Sequence, residues 1–404
     1  MESNSIYKWF PFNLDFFPEV VMLTKLSSKT MAFDVTQAND PKRTGIGRVV
    51  EEQLNSICWL FQQNRWPFGN LTLLSAWPFR LPEVLIANLQ RFGVKLIVLP
   101  CASMYVYRLT KVSWWVWKNK PDLLYIPEPI YPGLQFASNL VIMHYDLIAR
   151  QSPKTVSRHI RFLYRVFLIS TLRRANRVGV DSEFVRNQTA ALLYEFKRKS
   201  EVVPIYLHTP QMSREKRPEI LESVVPYALF IGNLLPHKNI RRLLKAFAAC
   251  KSKCPDEFIP LYIVGRSRPE VDDLQPLLDD LEAKGIIKHF GYLTDEELNW
   301  LKHHAKYLAF PSLIEGYGLP IMESMSIGLP VLTSRGVATE ETADGAAHLV
   351  DPHNTKSILK GIIRLNNDAS YRQELAAKGL AHAEQFTREK HATALAEFLK
   401  RGLT

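Results

Sequence analysis

Cysteine is scarce, and the four present form no framework. Cys58 and Cys101 stand alone in apolar stretches, while Cys250 and Cys254 have no histidine close enough to complete a familiar zinc spacing. Disulfide staples and structural zinc are set aside, and the thiols read as ordinary core residues. Long apolar runs are missing as well. A membrane span needs roughly 18 uninterrupted apolar residues, and the most apolar candidate, 160–172, contains Arg161 and Arg165. The N-terminus does not read as a signal peptide, because Glu2 stands where positive charge belongs and Pro11, Asp15 and Pro18 interrupt the apolar residues. No short-period repeat or low-complexity run occurs. Nothing reads as an Asp-x-Asp metal site, since Asp272 with Asp273 and Asp279 with Asp280 fall on an expected helix with no strand before them. The expectation is a cytosolic enzyme that needs no metal or other cofactor.

What is present suits a globular chain. Apolar residues make up 47% and charged residues 23% of 404 residues, enough for two domains of about two hundred residues each. The net charge of +11 is unevenly spread: residues 1–210 hold 26 Lys+Arg against 15 Asp+Glu, whereas the remainder holds 25 of each. Seven of the eight tryptophans, all but Trp300, also lie in the first half. That half either meets an anionic partner or carries a solvated basic face. Nucleic acid is not an expected partner.

Short apolar runs alternate with segments of helical period. Residues 31–36, 71–75, 95–99, 123–125, 140–143 and 177–180 read as buried strands, with helices at 47–60, 82–91 and 153–175. A second series of strands follows at 227–231, 260–264, 286–290, 307–309 and 331–332, with helices starting near Asn239, Val271, Thr294 and Leu319. Two strand–helix series predict two doubly wound α/β domains. The polar stretch 208–225 is the expected linker, giving domains at 1–207 (with 1–30 as an extension of unassigned role) and 208–387.

Four segments carry chemistry. In the run from Phe310 to Val331, a strand ends at Phe310, a glycine loop (Gly316, Gly318) follows, and a helix begins near Leu319. Such loops lie at the carboxyl ends of parallel strands, where open α/β sheets bind ligands. Glu315 in the loop and Glu323 in the helix can accept hydrogen bonds from vicinal hydroxyls, and unpaired N–H groups can meet an anion. The alternative is a glycine-rich loop with capping acids. In the second segment, Phe230 to Phe247, a strand runs into Gly232-Asn233 and Lys238 stands where a helix opens. A lysine there suits a diphosphate. The third, around Gly45-Ile-Gly47, fails as a dinucleotide fingerprint, because Val50 replaces the third glycine and eight residues separate the loop from its strand. The fourth, Val141 to Ile148, ends a buried strand with His144 and Asp146 as candidate catalytic residues.

The segment Glu315-Gly-Tyr-Gly-Leu-Pro…Glu323 resembles the signature of retaining glycosyltransferases of family 4. That resemblance implies the GT-B architecture, with two facing Rossmann-like domains, the donor held mainly by the second, and a last helix (388–404) crossing back to the first. It implies that Glu315 lies against the donor sugar, that Glu323 holds the ribose, and that the backbone of Gly316, Tyr317, Gly318 and Leu319 lines sugar and diphosphate. It carries Lys238 to the diphosphate, with Asn233 where many relatives have arginine. Gly45 and Gly47 would reach across the cleft, Asp146 would face it, and the loops holding Gly265, Arg266 and Tyr292 would hold the base. The implied reaction moves a sugar from GDP-mannose or a UDP-sugar to a glycan or lipid-linked acceptor. The motif style is that of mannosyltransferases of bacterial surface polysaccharide. A nucleotide-sugar epimerase and a catalytically silent binding partner share the architecture and are the rival expectations.

One aromatic cluster points to location. On a helix, Trp114 and Trp117 share a face while Trp115 is turned away by about 100°, with Lys111, Lys118 and Lys120 beside them. Arg158, Arg161, Arg165, Arg173 and Arg174 follow among Phe162, Tyr164 and Phe167. Aromatics at headgroup level with arginines on anionic lipid would make the protein peripheral on the inner face of a membrane. The competing expectation puts the tryptophans in the core.

Overall fold

The computed structural model describes residues 28–41, 44–133, 139–206, 215–219, 221, 225–268 and 273–403. The expected extension therefore lies almost wholly outside the described residues, as do 208–214, 220 and 222–224 of the expected linker.

The first sheet contains β1 (Thr30–Asp34), β2 (Asn70–Ser75), β3 (Lys95–Val98), β4 (Leu123–Ile126), β5 (Asn139–His144), β6 (Arg177–Val180) and β7 (Ser200–Val202). All its pairings are parallel, in the order β3-β2-β1-β4-β5-β6-β7. The second contains β8 (Ala228–Ile231), β9 (Leu261–Val264), β10 (Ile287–Gly291), β11 (Tyr307–Phe310), β12 (Val331–Ser334) and β13 (His348–Val350), ordered β10-β9-β8-β11-β12-β13 and again parallel. Strands covered on both faces are mostly apolar, and Leu123–Ile126, Tyr307–Phe310 and Val331–Ser334 are buried at every position, with the Thr333 and Ser334 hydroxyls donating to the Phe310 and Ser312 carbonyls. The short edge strands β7 and β13 escape a periodicity reading. They are three residues long and begin with Ser200 and His348.

Each sheet reverses direction once, between β1 and β4 in the first and between β8 and β11 in the second. A crevice opens at the carboxyl ends of the strands at such a reversal. The loops that hold Gly45, Lys238 and Glu315 follow β1, β8 and β11. The recognisable motifs therefore sit on the reversals themselves.

Local chemistry sets the helix ends. Helix Gly45–Gln62 starts where Thr44 accepts a hydrogen bond from the Gly47 amide. The helix expected over 153–175 is shorter. Pro153–Thr155 forms a separate 3-10 turn, Val156 is extended, and Ser157 caps helix Arg158–Arg174 by accepting from the Ile160 amide. The helix expected near Val271 spans Gln275–Ala283, with residue 271 itself outside the described residues.

The last helix, Arg388–Arg401, packs against the first domain. His391 lies 2.7 Å from Ser56, Phe398 meets Tyr125 edge-on at 6.4 Å, and Arg401 pairs with Glu201. A side chain at Gly402 would run into Val141, so the chain passes that point only as glycine. The domains also touch at the cleft. Glu341 of the second domain accepts hydrogen bonds from the Glu183 and Phe184 amides at 2.7 and 2.8 Å, satisfying free donors at the start of helix Glu183–Ala190.

Candidate functional site

A cavity of about 450 Å³ lies between the domains. From the first domain it is lined by Gly45, Ile46, Arg48, Tyr145, Asp146 and Asp181, and from the second by Asn233, Lys238, Glu315 and Glu323 among others. Segments separated by hundreds of residues converge here because both strand reversals open onto it.

Lys238 ends a 3-10 turn, Pro236–Lys238, one residue before helix Ile240–Lys253. Asn239 between them takes a left-handed conformation (φ 61°) and its side-chain amide donates to the Pro311 and Pro352 carbonyls at 2.9 and 2.7 Å. That clamp ties the lysine loop to the loop after β11. The Lys238 ammonium then donates to Glu315 Oε1 at 2.6 Å and lies 4.8 Å from the centre of the Phe310 ring. Neither partner is more than one-fifth exposed, so the pair neutralises two charges that burial would otherwise penalise.

Glu323 is more deeply placed. Lys302 donates to its Oε2 at 2.6 Å, and Arg48 stands 2.6 Å from its Oε1. Burial alone would raise the pKa of this carboxyl, but Lys302 and Arg48 outweigh burial and hold it below the ordinary carboxylate value. Arg48 comes from the other domain, and its own pKa is raised chiefly by Glu323. The pair therefore bridges the cleft.

Glycines set the width of the gap. A side-chain carbon at Gly316 would collide with the Tyr145 carbonyl of the opposite domain, and Ser182 donates to the Gly316 carbonyl at 2.8 Å. Gly318 adopts φ 95°, a left-handed conformation that favours glycine.

On the first-domain wall, Asp146 accepts from the Ile148 amide at 2.9 Å. Burial raises its pKa to about 6, helped by Glu315 and opposed by that hydrogen bond and by Lys238. Asp181 is raised well above the usual range by burial and by Asp146. Two acids that resist ionisation thus face an ion pair across the cavity.

The structure brings together Gly45, Asp146, Asn233, Lys238, Glu315, Gly316, Tyr317, Gly318, Leu319 and Glu323 around one cavity. Gly47 sits behind it, pressed against the Gln37 carbonyl. Gly265, Arg266 and Tyr292 are not among the lining residues. Gly265 abuts Gly232, and Arg266 stacks over Tyr292 at 5.1 Å outside the cavity. His144 is a correction. It points into the core, where its Nε2 lies 2.9 Å from Thr189 and its ring meets Phe196 edge-on. Burial drops its pKa to about 4. His144 is the last residue of β5 and packs under helix Glu183–Ala190, whereas Asp146 lies beyond the strand end, where the chain has left the sheet.

Sequence reasoning missed Arg48, Lys302 and Asp181 as site residues. Arg48 directly follows Gly45-Ile-Gly47 but carried no role of its own. Asp181 directly follows the strand expected at 177–180 and carried no role either. Lys302 carried no signal, being one lysine on an amphipathic helix. Behind the cleft wall, the fully buried Arg108 donates to Asp34 at 2.7 Å and also pairs with Glu128. This charge cluster stiffens the first-domain strand reversal.

Residues 212–382 match the family model "Glycosyl transferases group 1". The chain is 37% identical over 167 residues to O-antigen chain mannosyltransferase B of Escherichia coli, covering 41% of this chain and 44% of that protein. It is 27% identical over 194 residues to O-antigen chain mannosyltransferase RfbU of Salmonella typhimurium, covering 48% and 52%. The chain thus spans about half the length of these relatives. Among solved structures, WaaG, a glycosyltransferase involved in lipopolysaccharide biosynthesis, superposes with TM-score 0.65 at 15% identity over 91% of this chain and 99% of that one. Anabaena HepE in complex with UDP and glucose gives TM-score 0.63 at 17% identity over 92% and 99%. The fold is GT-B.

The raised pKa of Asp146 generates a stability prediction. A carboxyl with a folded-state pKa of about 6 favours the folded state fully below its unfolded value near 3.8, and that contribution is lost as pH rises through 6. Asp146→Asn escapes the loss. Its melting temperature should exceed the parent's by an amount that grows from pH 5 to pH 8, reaching about 2–3 kcal/mol of stability. A gap that is flat across this range would mean Asp146 ionises freely.

Proposed function

We propose that this chain, whose residues 212–382 are a group 1 glycosyltransferase domain set in a GT-B frame, transfers a hexosyl group from a nucleotide-sugar to a glycan in surface polysaccharide synthesis. The observation that carries the reading is the convergence of Lys238, Glu315 and Glu323 with the backbone of 316–319 on a single cavity. The O-antigen mannosyltransferase relatives favour GDP-mannose as donor, with a UDP-sugar as the other candidate.

In this reading the donor diphosphate takes over Lys238, and Glu315 is freed to accept hydrogen bonds from the sugar hydroxyls. Glu323 stays ionised between Lys302 and Arg48 and accepts from the ribose hydroxyls. The bond from the anomeric carbon to the diphosphate oxygen breaks while the acceptor oxygen bonds to the same face of that carbon. The departing phosphate oxygen takes the acceptor proton, so configuration is retained without a protein carboxylate as base. Negative charge building on the leaving group meets Lys238, Arg48 and loop amides already in position, and such preorganised charge is usually the largest catalytic contribution. Metal independence belongs to the same proposal.

Nucleotide-sugars screened by calorimetry, followed by turnover with the one that binds best, test the donor. Lys238→Ala should weaken donor binding by about 1.5–3 kcal/mol, the scale of a charged hydrogen bond. Glu315→Gln should reduce turnover more than affinity for the free nucleoside diphosphate, whereas Glu323→Gln should weaken that affinity too. Nucleotide binding unchanged in all three variants would remove the donor from this cleft. Turnover should also persist in excess EDTA, and loss restored by magnesium would replace the lysine with a metal-bridged diphosphate.

Attachment to an anionic membrane surface is part of the proposal. Among the described residues, no helix is long and apolar enough to cross a membrane. Helix Ser113–Asn119 leaves Trp114 and Trp117 53% and 57% exposed while burying Trp115, and Phe162 on helix Arg158–Arg174 is 61% exposed. Tyr105, on the turn Met104–Tyr107 that runs on through Arg108–Val112 into helix Ser113–Asn119, meets His159 edge-on at 6.1 Å. Exposed aromatics flanked by lysine and arginine suit a headgroup layer. In co-sedimentation, the protein should pellet with anionic vesicles and be released by salt. Equal recovery in the supernatant with anionic and neutral vesicles at low salt would refute attachment.

A further inference from the structure

A second cavity, of about 400 Å³, lies in the first domain between the segment after β5 and helix Arg158–Arg174. Its lining includes Arg150, Arg161, Arg165 and Tyr164, with Ala149, Pro153, Leu168 and Ile169 as apolar wall. Among the described residues no carboxylate lines it. Arg161 is held in place by donating to the Pro153 carbonyl at 2.6 Å. Arg161 and Arg165 are one helical turn apart and so share a face. All three arginines are exposed at the mouth of the cavity, and their planar guanidinium forks match phosphate oxygens.

The cavity also adjoins the cleft. Asp146 accepts from the Ile148 amide, and helix Ile148–Gln151 carries Ala149 and Arg150 straight into the cavity wall. Tyr164 lies within the fields of Asp146 and Glu128, which together with burial raise its pKa. On the outer side, Phe162 and Val166 of the same helix are exposed. Cleft, arginine cavity and apolar rim thus follow one another along the first domain.

We propose that Arg150, Arg161 and Arg165 form a binding site for a phosphate or diphosphate group of the acceptor, seated beside Asp146 and distinct from the donor diphosphate site at Lys238. The proposal deepens the transferase reading and rests on it for the word acceptor. A phosphoester anchored there would leave the acceptor sugar to enter the cleft from the Asp146 side. The same anion could end a soluble sugar phosphate or an isoprenoid lipid carrier.

Inorganic pyrophosphate titrated into the full chain, with UDP or GDP saturating the donor site, tests the site. Pyrophosphate should still bind, and Arg150→Gln combined with Arg165→Gln should weaken it by about tenfold or more, given the worth of charged hydrogen bonds. Neither arginine holds a protein group among the described residues, so melting temperature should stay close to the parent's. Glucose 1-phosphate and farnesyl diphosphate in the same titration separate the sources. Tighter binding of farnesyl diphosphate that is lost in Phe162→Ser identifies a lipid carrier, and equal binding that ignores Phe162→Ser identifies a soluble sugar phosphate. Pyrophosphate that no longer binds once the donor site is full, or binds the double variant as it binds the parent, overturns the site. Failure of the donor reading would show separately, as absent UDP and GDP heats.

Discussion

Each sheet reverses its strand order once, and the chemistry of the molecule depends on those two reversals facing each other. A reversal opens a crevice at the carboxyl ends of its strands. One crevice receives the loops with Lys238 and Glu315, the other those with Gly45 and Asp146. Their edges approach so closely that Gly316 meets the Tyr145 carbonyl without room for a side chain. Charges on the two walls are thereby brought within a few ångströms, as Arg48 is to Glu323 at 2.6 Å.

Burying charge is costly unless each charge has a partner, and the cavity follows that rule on one side only. Lys238 with Glu315, and Glu323 with Lys302 and Arg48, are compensated. Asp146 and Asp181 are not, and both resist ionisation. The second domain therefore presents fixed charges that suit a charged donor, while the first presents acids that remain largely uncharged to higher pH. That asymmetry fits a division in which one domain holds an anionic leaving group and the other an acceptor hydroxyl.

The first domain's surface is as specialised as its cleft. Its excess of basic residues lies partly on helix Arg158–Arg174, where one face lines the arginine cavity and its neighbour exposes Phe162 and Val166.

The amino-acid sequence by itself determined the two-sheet plan, because buried parallel strands are mostly apolar and their loops must carry the glycines and polar groups. It also determined the donor motif, since Glu315, Gly316, Gly318 and Glu323 lie within nine residues on one loop and helix, where spacing alone fixes their relation. Tertiary structure decided everything that depends on distant segments meeting. Lys302 becomes a partner of Glu323 only because helix Asp295–His304 packs beside helix Leu319–Met325, and Arg48 only because the domains close. His144 and Asp146 are two residues apart in one motif, yet His144 ends β5 packed against Thr189 and Phe196 in the core, while Asp146 follows in the loop beyond the strand and reaches the cleft. The arginine cavity was invisible for the same reason, since Arg150 and Arg161 share a wall only after the chain turns at Pro153 and restarts as a helix at Ser157. Local patterns are set by bonds along the chain, whereas compensation of buried charge is settled by whatever the fold brings within a few ångströms.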